Sequence, residues 1–141
     1  MARKRILIDA GPLVAILAAD DAHHNRCLAE AEKHQPPFFT TWAILTEVAW
    51  LLRAQSTSIP RLMALIARGL IVAENLGPGA ASEIGELADA YADLRPDLGD
   101  LTLIQLVGND DSTSIFTLDR RDFNVYRDRL GRPFPLIPES L

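Results

Sequence analysis

The sequence predicts an α/β fold built on a mostly parallel sheet, and three observations carry that prediction. Short apolar, β-branched runs alternate with longer stretches of helical period, so the hydrophobic repeat changes again and again along the chain. Strands separated by helices pair mainly in parallel, because antiparallel neighbours need only a tight turn between them. The chain has 141 residues, 48% of them apolar and 23% charged. Those proportions suit one domain over residues 1–141 with a single core, and not a disordered chain.

Arg5-Ile6-Leu7-Ile8 reads as a first strand buried on both faces. Gly11-Pro12 opens a helix over about Leu13 to Ala19, with proline in a first turn where its missing N–H costs little. A second helix is expected from His23 to Lys33, ended by Gln35-Pro36-Pro37, and Phe38-Phe39-Thr40 follows as a short strand. Trp42 to Ala54 is apolar on nearly every face and predicts a buried helix. Its two tryptophans, Trp42 and Trp50, read as core or interface anchors in preference to base-stacking platforms. Ile59-Pro60 starts the next helix, to about Arg68, with Gly69 as its stop. Leu70 to Ala73 is a third strand, Gly77-Pro78-Gly79 a loop, and Ala80 to Ala92 an alanine-rich amphipathic helix. Asp97 or Leu98 begins a helix that ends near Gly108. Ser114 to Thr117 is a fourth strand, and Phe134 to Ile137 is a candidate fifth at an edge, where proline is tolerated.

The bulk properties exclude several classes. No apolar run approaches the roughly 20 residues needed to cross a bilayer. The N-terminus is basic and then apolar, as a signal peptide would be, but Asp9 and Gly11-Pro12 interrupt it after three apolar residues. A lone Cys27 rules out an internal disulfide and fits a reducing cytoplasm. The net charge of −5 argues against a broad basic surface that coats nucleic acid. It leaves room for a local basic rim, and Arg120, Arg121, Arg127, Arg129 and Arg132 do crowd together near the C-terminus. A solvated helix face and turn is the plainer account of them.

Four carboxylates stand where structure alone would rarely put them. Asp9 follows the first strand at its C-terminal end, the edge where open parallel sheets build ligand sites, although it could equally cap the next helix. Glu47 has Ala43, Ile44, Trp50 and Leu51 as its helical neighbours, so its charge is costly unless a cation or several donors meet it; a salt bridge to Arg53 or another arginine is the alternative. Asp97 and Asp100 open one helix three residues apart. We assign the capping role to Asp97 and the functional one to Asp100, which begins the apolar run Leu101-Thr102-Leu103-Ile104. Asp119 follows the fourth strand and could also cap a short helix, with Asp122 in its third position. Together these acids converge on one sheet edge. Their mutual repulsion is relieved by a hard divalent cation with oxygen ligands, an arrangement suited to phosphodiester hydrolysis.

Ile8-Asp9-Ala10-Gly11-Pro12-Leu13-Val14-Ala15, Leu45-Thr46-Glu47-Val48-Ala49, Asp97-Leu98-Gly99-Asp100-Leu101-Thr102-Leu103 and Phe116-Thr117-Leu118-Asp119-Arg120-Arg121-Asp122-Phe123 together resemble PIN-domain proteins. Among these the chain is most similar to VapC-type toxins of bacterial toxin–antitoxin pairs. The resemblance implies a three-layer α/β/α sandwich around a four- to five-stranded sheet, Mg²⁺ or Mn²⁺ dependence, RNA cleavage, dimerisation and inhibition by a cognate antitoxin. It also implies that Asp9 and Asp100 are the principal metal ligands. Glu47 would ligate directly or through water, Asp119 would complete the site or orient the nucleophilic water, and Thr117 would support it with its hydroxyl. The sequence departs from its relatives at Leu101, where a small residue is usual. With a phosphate substrate in view, Arg120 and Arg121, beside Asp119, become candidates for RNA contact.

Other readings compete. His23 and Cys27, four apart, could share a metal, but two soft ligands without a second pair make a weak zinc site. His24 could reach an RNA phosphate, or simply start a helix. An aspartyl-phosphate enzyme would want a second Asp two residues after Asp9, where Gly11 stands, and a receiver domain would want paired acids before it. A non-catalytic domain whose acids only cap helices remains the alternative from another class.

Overall fold

A computed structural model describes residues 4–108 and 112–141. Five strands, β1 (Ile6–Ile8), β2 (Phe38–Thr41), β3 (Ile71–Glu74), β4 (Ser114–Phe116) and β5 (Leu136–Ile137), form one sheet in the order β3-β2-β1-β4-β5. Every pairing is parallel, so "mostly parallel" becomes wholly parallel. Seven helices flank it in a three-layer α/β/α arrangement: α1 (Ala10–Leu17), α2 (His24–Glu32), α3 (Trp42–Leu51), α4 (Ser58–Ala67), α5 (Ala80–Ala90), α6 (Leu98–Val107) and α7 (Arg120–Phe123).

The strand sequences explain their places. β1 is buried throughout and lies in the middle of the sheet, with Leu7 in register with Phe39 on one side and Ile115 on the other. A strand covered on both faces has no use for polar alternation. β5 lies at the edge and is the shortest strand; the preceding Pro135 lends its carbonyl to the Ile115 N–H and needs no N–H of its own. Gly69 ends α4 in the left-handed region with φ 75°, as a stop signal should.

The helix starts position the acids. From β1 the chain winds one way to β2 and β3, then crosses back to β4 and β5. The connections therefore part between β1 and β4, and the C-terminal ends of those two strands are where open parallel sheets place ligand sites. Asp9 follows β1 directly, and Thr117 and Asp119 follow β4. α3 begins without a loop after β2, where the Thr41 hydroxyl accepts from the Ile44 N–H at 3.3 Å and pairs with the Thr102 hydroxyl at 2.8 Å. That buried threonine pair docks the first turns of α6 against the end of β2.

Two expectations need correction. α1 starts at Ala10, three residues earlier than Leu13, because Asp9 caps it and Pro12 sits within its first turn. α3 is not buried all round: it stops at Leu51, packs Ile44, Leu45 and Val48 inward, and leaves Trp42 50% and Trp50 63% exposed. Neither tryptophan belongs to the core. Helices α1, α4 and α6 cover only one side of α3, and an apolar sequence cannot say which of its faces a neighbour will reach. A 3₁₀ turn at Ala92–Leu94 was not anticipated. Among the described residues no helix is long and apolar enough to cross a membrane.

Candidate metal centre

Asp9 is 6% exposed, and each of its carboxylate oxygens accepts one hydrogen bond. Oδ1 accepts from the Ala10 N–H at 2.8 Å, the cap of α1, and Oδ2 accepts from the Thr117 hydroxyl at 2.8 Å. Burial pushes this carboxyl up to about 6; the two hydrogen bonds oppose the rise, and Asp97 and Asp119 add to it. The Thr117 hydroxyl, wholly buried, also accepts from the Asp119 N–H at 3.0 Å. One hydroxyl thus joins the ends of β1 and β4.

Asp100 is also 6% exposed, in the first turn of α6. Its backbone N–H donates to Asp97 Oδ1 at 2.9 Å, so Asp97 is the cap and Asp100 is not, as the sequence reading assigned them. Asp100 Oδ2 accepts from the phenol of buried Tyr126 at 3.4 Å. Burial first, then Asp9, Asp97, Asp119 and Glu47, push Asp100 up to about 8. Every charged group acting on it is another acid.

Asp119 caps α7, accepting from the Asp122 N–H at 3.1 Å. Asp100, Asp119 and Asp122 can each offer a carboxylate oxygen such that all three lie within 4.8 Å of one another. Two oxygens on one Mg²⁺, each about 2.1 Å from it, sit at most about 4.2 Å apart, so sub-ångström adjustments would let the three share an ion. The donor set is all hard oxygen, as a hard divalent cation prefers. The donors present therefore fit a divalent cation.

Glu47 reaches the site from α3. Its Oε2 lies 3.3 Å from where a Cβ on Gly99 would stand, and Asp97 Oδ1 lies 3.5 Å from the same point. Gly99 is therefore the space through which Glu47 approaches the start of α6. Burial, then Asp97 and Asp9, raise Glu47 above the usual carboxylate range. Arg53, one partner offered for a salt bridge, turns instead to the Trp50 carbonyl and ring.

Asp9, Glu47 and Asp119 all act on Asp100, while the oxygen cluster of Asp100, Asp119 and Asp122 adds Asp122 and leaves out Asp9, held on Thr117, and Glu47. Asp122 was read only as a third-position helix acid. Its signal was present in the Asp119-x-x-Asp122 spacing, which puts two acids on one helical face. Tyr126, an aromatic in a polar stretch, carried no such signal. Arg121 is exposed, and Arg120 donates from Nη1 to the Glu139 carbonyl at 3.3 Å, its Nε and Nη2 finding no partner among the described residues. Arg127 bonds nearby carbonyls, Arg129 pairs with Glu83 and Arg132 with Asp128, so a folded turn accounts for the rest of the cluster. Cys27 is wholly buried in the core, and His24 Nδ1 lies 2.7 Å from the Ala15 carbonyl.

The PIN domain family profile matches residues 6–128, which include every one of these acids. The chain belongs to the PIN domain family. This PIN domain also superposes on the crystal structure of Mycobacterium tuberculosis VapC20, described as a Sarcin-Ricin loop cleaving toxin. The TM-score is 0.65 at 16% identity, over 72% of this chain and 80% of that one, which establishes a shared fold. No curated protein matches the sequence of this PIN domain.

Proposed function

We propose that the chain is a divalent-metal-dependent endoribonuclease, using Mg²⁺ or Mn²⁺, and the toxin of a type II toxin–antitoxin pair. The observation that carries the proposal is Asp100. Helix capping accounts for Asp9, Asp97 and Asp119, but Asp100 is buried, caps nothing and, apart from the Tyr126 phenol, has other acids acting on it among the described residues. An ionised carboxylate in that setting is costly, and a bound cation is what removes the cost.

Asp9 and Asp100 would hold the ion, with Glu47, Asp119 and Asp122 as further oxygen donors. Bound there, the ion would polarise phosphate oxygens and lower the pKa of an attacking water. Thr117 keeps Asp9 and the start of α7 in fixed relation, and Tyr126 holds one oxygen of Asp100 so that the other is free to ligate. Arg120 and Arg121 would contact RNA phosphates beside the acids. The neighbour's description as a loop-cleaving toxin supports an RNA target. In keeping with that reading, residues 1–141 would work as one PIN-like domain in the cytoplasm, as a homodimer, held in check by a cognate antitoxin.

The test is cleavage of total cellular RNA with and without Mg²⁺ or Mn²⁺, comparing the native chain with Asp9→Asn and Asp100→Asn. Loss of cleavage in both variants and without metal is expected; equal activity in all three proteins would refute the mechanism. Calorimetric metal titration after chelation separates the capping alternative, since acids that only cap helices give no stoichiometric heat.

A further inference from the structure

Trp42 and Trp50 are the only tryptophans of the chain, and both lie on the open side of α3. They stand eight residues apart with Thr46 midway, so they share one helical face. The Thr46 hydroxyl is turned back to the Trp42 carbonyl at 2.8 Å. The Arg53 guanidinium lies 3.9 Å from the centre of the Trp50 ring and is fixed there by a 2.9 Å bond to the Trp50 carbonyl. Glu47 precedes Trp50 by one turn and reaches toward Gly99 and Asp97. Beyond Gly99, Leu98 is again open to solvent. The two tryptophans thus share one helix with Glu47, the acid that α3 sends toward the start of α6.

We infer that this face of α3 is a stacking platform for unpaired bases of an RNA strand entering the acidic site. The inference rests on the ribonuclease reading and adds to it the form of RNA that is gripped. With a net charge of −5, this chain cannot draw RNA through a broad positive field. Stacking on indole rings is an uncharged source of affinity and is open to any base. A guanidinium laid on an indole presents a flat π surface and places a positive charge where the phosphates of a stacked strand would pass. A second copy of the chain fits the face less well. The exposed parts of the two indoles amount to about 300 Å², against about 800 Å² per partner in a stable interface. A two-fold contact centred here would also bring like charges together at Arg53.

Because no tryptophan lies elsewhere, intrinsic fluorescence reports on this face alone. The full chain, in chelator so that nothing is cut, is titrated with an unstructured octapyrimidine RNA and separately with an RNA duplex of equal length. Saturable quenching by the single strand and little by the duplex is expected. Trp50→Ala should weaken single-strand binding about tenfold or more, the loss that one stacked base carries. Trp50→Phe, which keeps a ring under Arg53, should recover most of it with the salt dependence of the wild type. Metal-dependent cleavage by the wild type is measured alongside. Cleavage without any quenching overturns the platform and leaves the ribonuclease; quenching without cleavage does the reverse. Emission that varies with protein concentration alone, with Trp50→Ala turning a dimer into a monomer at unchanged RNA affinity, assigns the face to a second copy and overturns the inference.

Discussion

Replacing Asp9 by Asn should make the metal-free protein more stable at neutral pH while abolishing its response to metal. Asp9 in the folded chain titrates near 6, raised from 3.8 chiefly by burial. At about 1.4 kcal/mol per pKa unit, the ionised carboxylate therefore costs the fold on the order of 3 kcal/mol at pH 7.5. The sign follows from the direction of the shift. A carboxyl raised on folding exacts nothing below pH 3.8, an increasing penalty between 3.8 and about 6, and its full penalty above. Asn keeps the cap on Ala10 through its carbonyl but cannot accept from Thr117, which returns about 1 kcal/mol. A net gain of about 2 kcal/mol should raise the melting temperature by roughly 6–10 °C. The assay is thermal unfolding by circular dichroism in chelator, at pH 7.5 and pH 4, then with Mn²⁺ at pH 7.5. Asp9→Asn should melt above the wild type in chelator at pH 7.5, and the gap should shrink to under about 1 kcal/mol at pH 4. With saturating Mn²⁺ the wild type should gain about 3 kcal/mol at a hundredfold excess over Kd, and the variant nothing. A variant no more stable than the wild type at pH 7.5, or a gap that persists at pH 4, would show that Asp9 is not a strained buried anion.

Three further substitutions separate the roles around it. Asp97→Asn should leave folding almost untouched, whereas Asp97→Ala should cost about 1 kcal/mol in urea unfolding, because the side chain accepts the Asp100 N–H. Gly99→Ala places a methyl group 3.3 Å from Glu47 Oε2 and 3.0 Å from Ile44 Cδ1. Helix propensity gains about 1 kcal/mol from that change, so stability should hold while displacement of Glu47 lowers Mn²⁺ affinity in calorimetry. Tyr126→Phe keeps the ring contacts with Tyr91 and Phe123 but removes the donor to Asp100. Cleavage should fall several-fold with a stability change of about 1 kcal/mol or less; full activity would dismiss the phenol's part in placing Asp100.

Much of this protein was legible in the order of its residues. The unbroken apolar run Ile6-Leu7-Ile8 reads as a strand covered on both faces, and β1 occupies the middle of the sheet. Turn and cap chemistry is equally local: Asp97 before Leu98 and Gly69 after Arg68 mark helix ends through groups a few bonds away. The acids of the site were visible because an acid at a strand end or on an apolar helix conflicts with its immediate neighbours, and such conflict shows in a linear text.

What folding alone decided is everything that depends on which surfaces meet. The sequence of α3 is apolar on nearly every face, yet only the side met by α1, α4 and α6 is covered, and the tryptophans are left to solvent. Asp122 joined Asp100 and Asp119, and Tyr126 found Asp100 from twenty-six residues away, because crossing from β3 back to β4 set the end of β4 beside the start of α6. Local chemistry is carried by neighbours along the chain and can be read there. Proximity between distant segments is set by packing of the whole, and no short stretch of residues contains it.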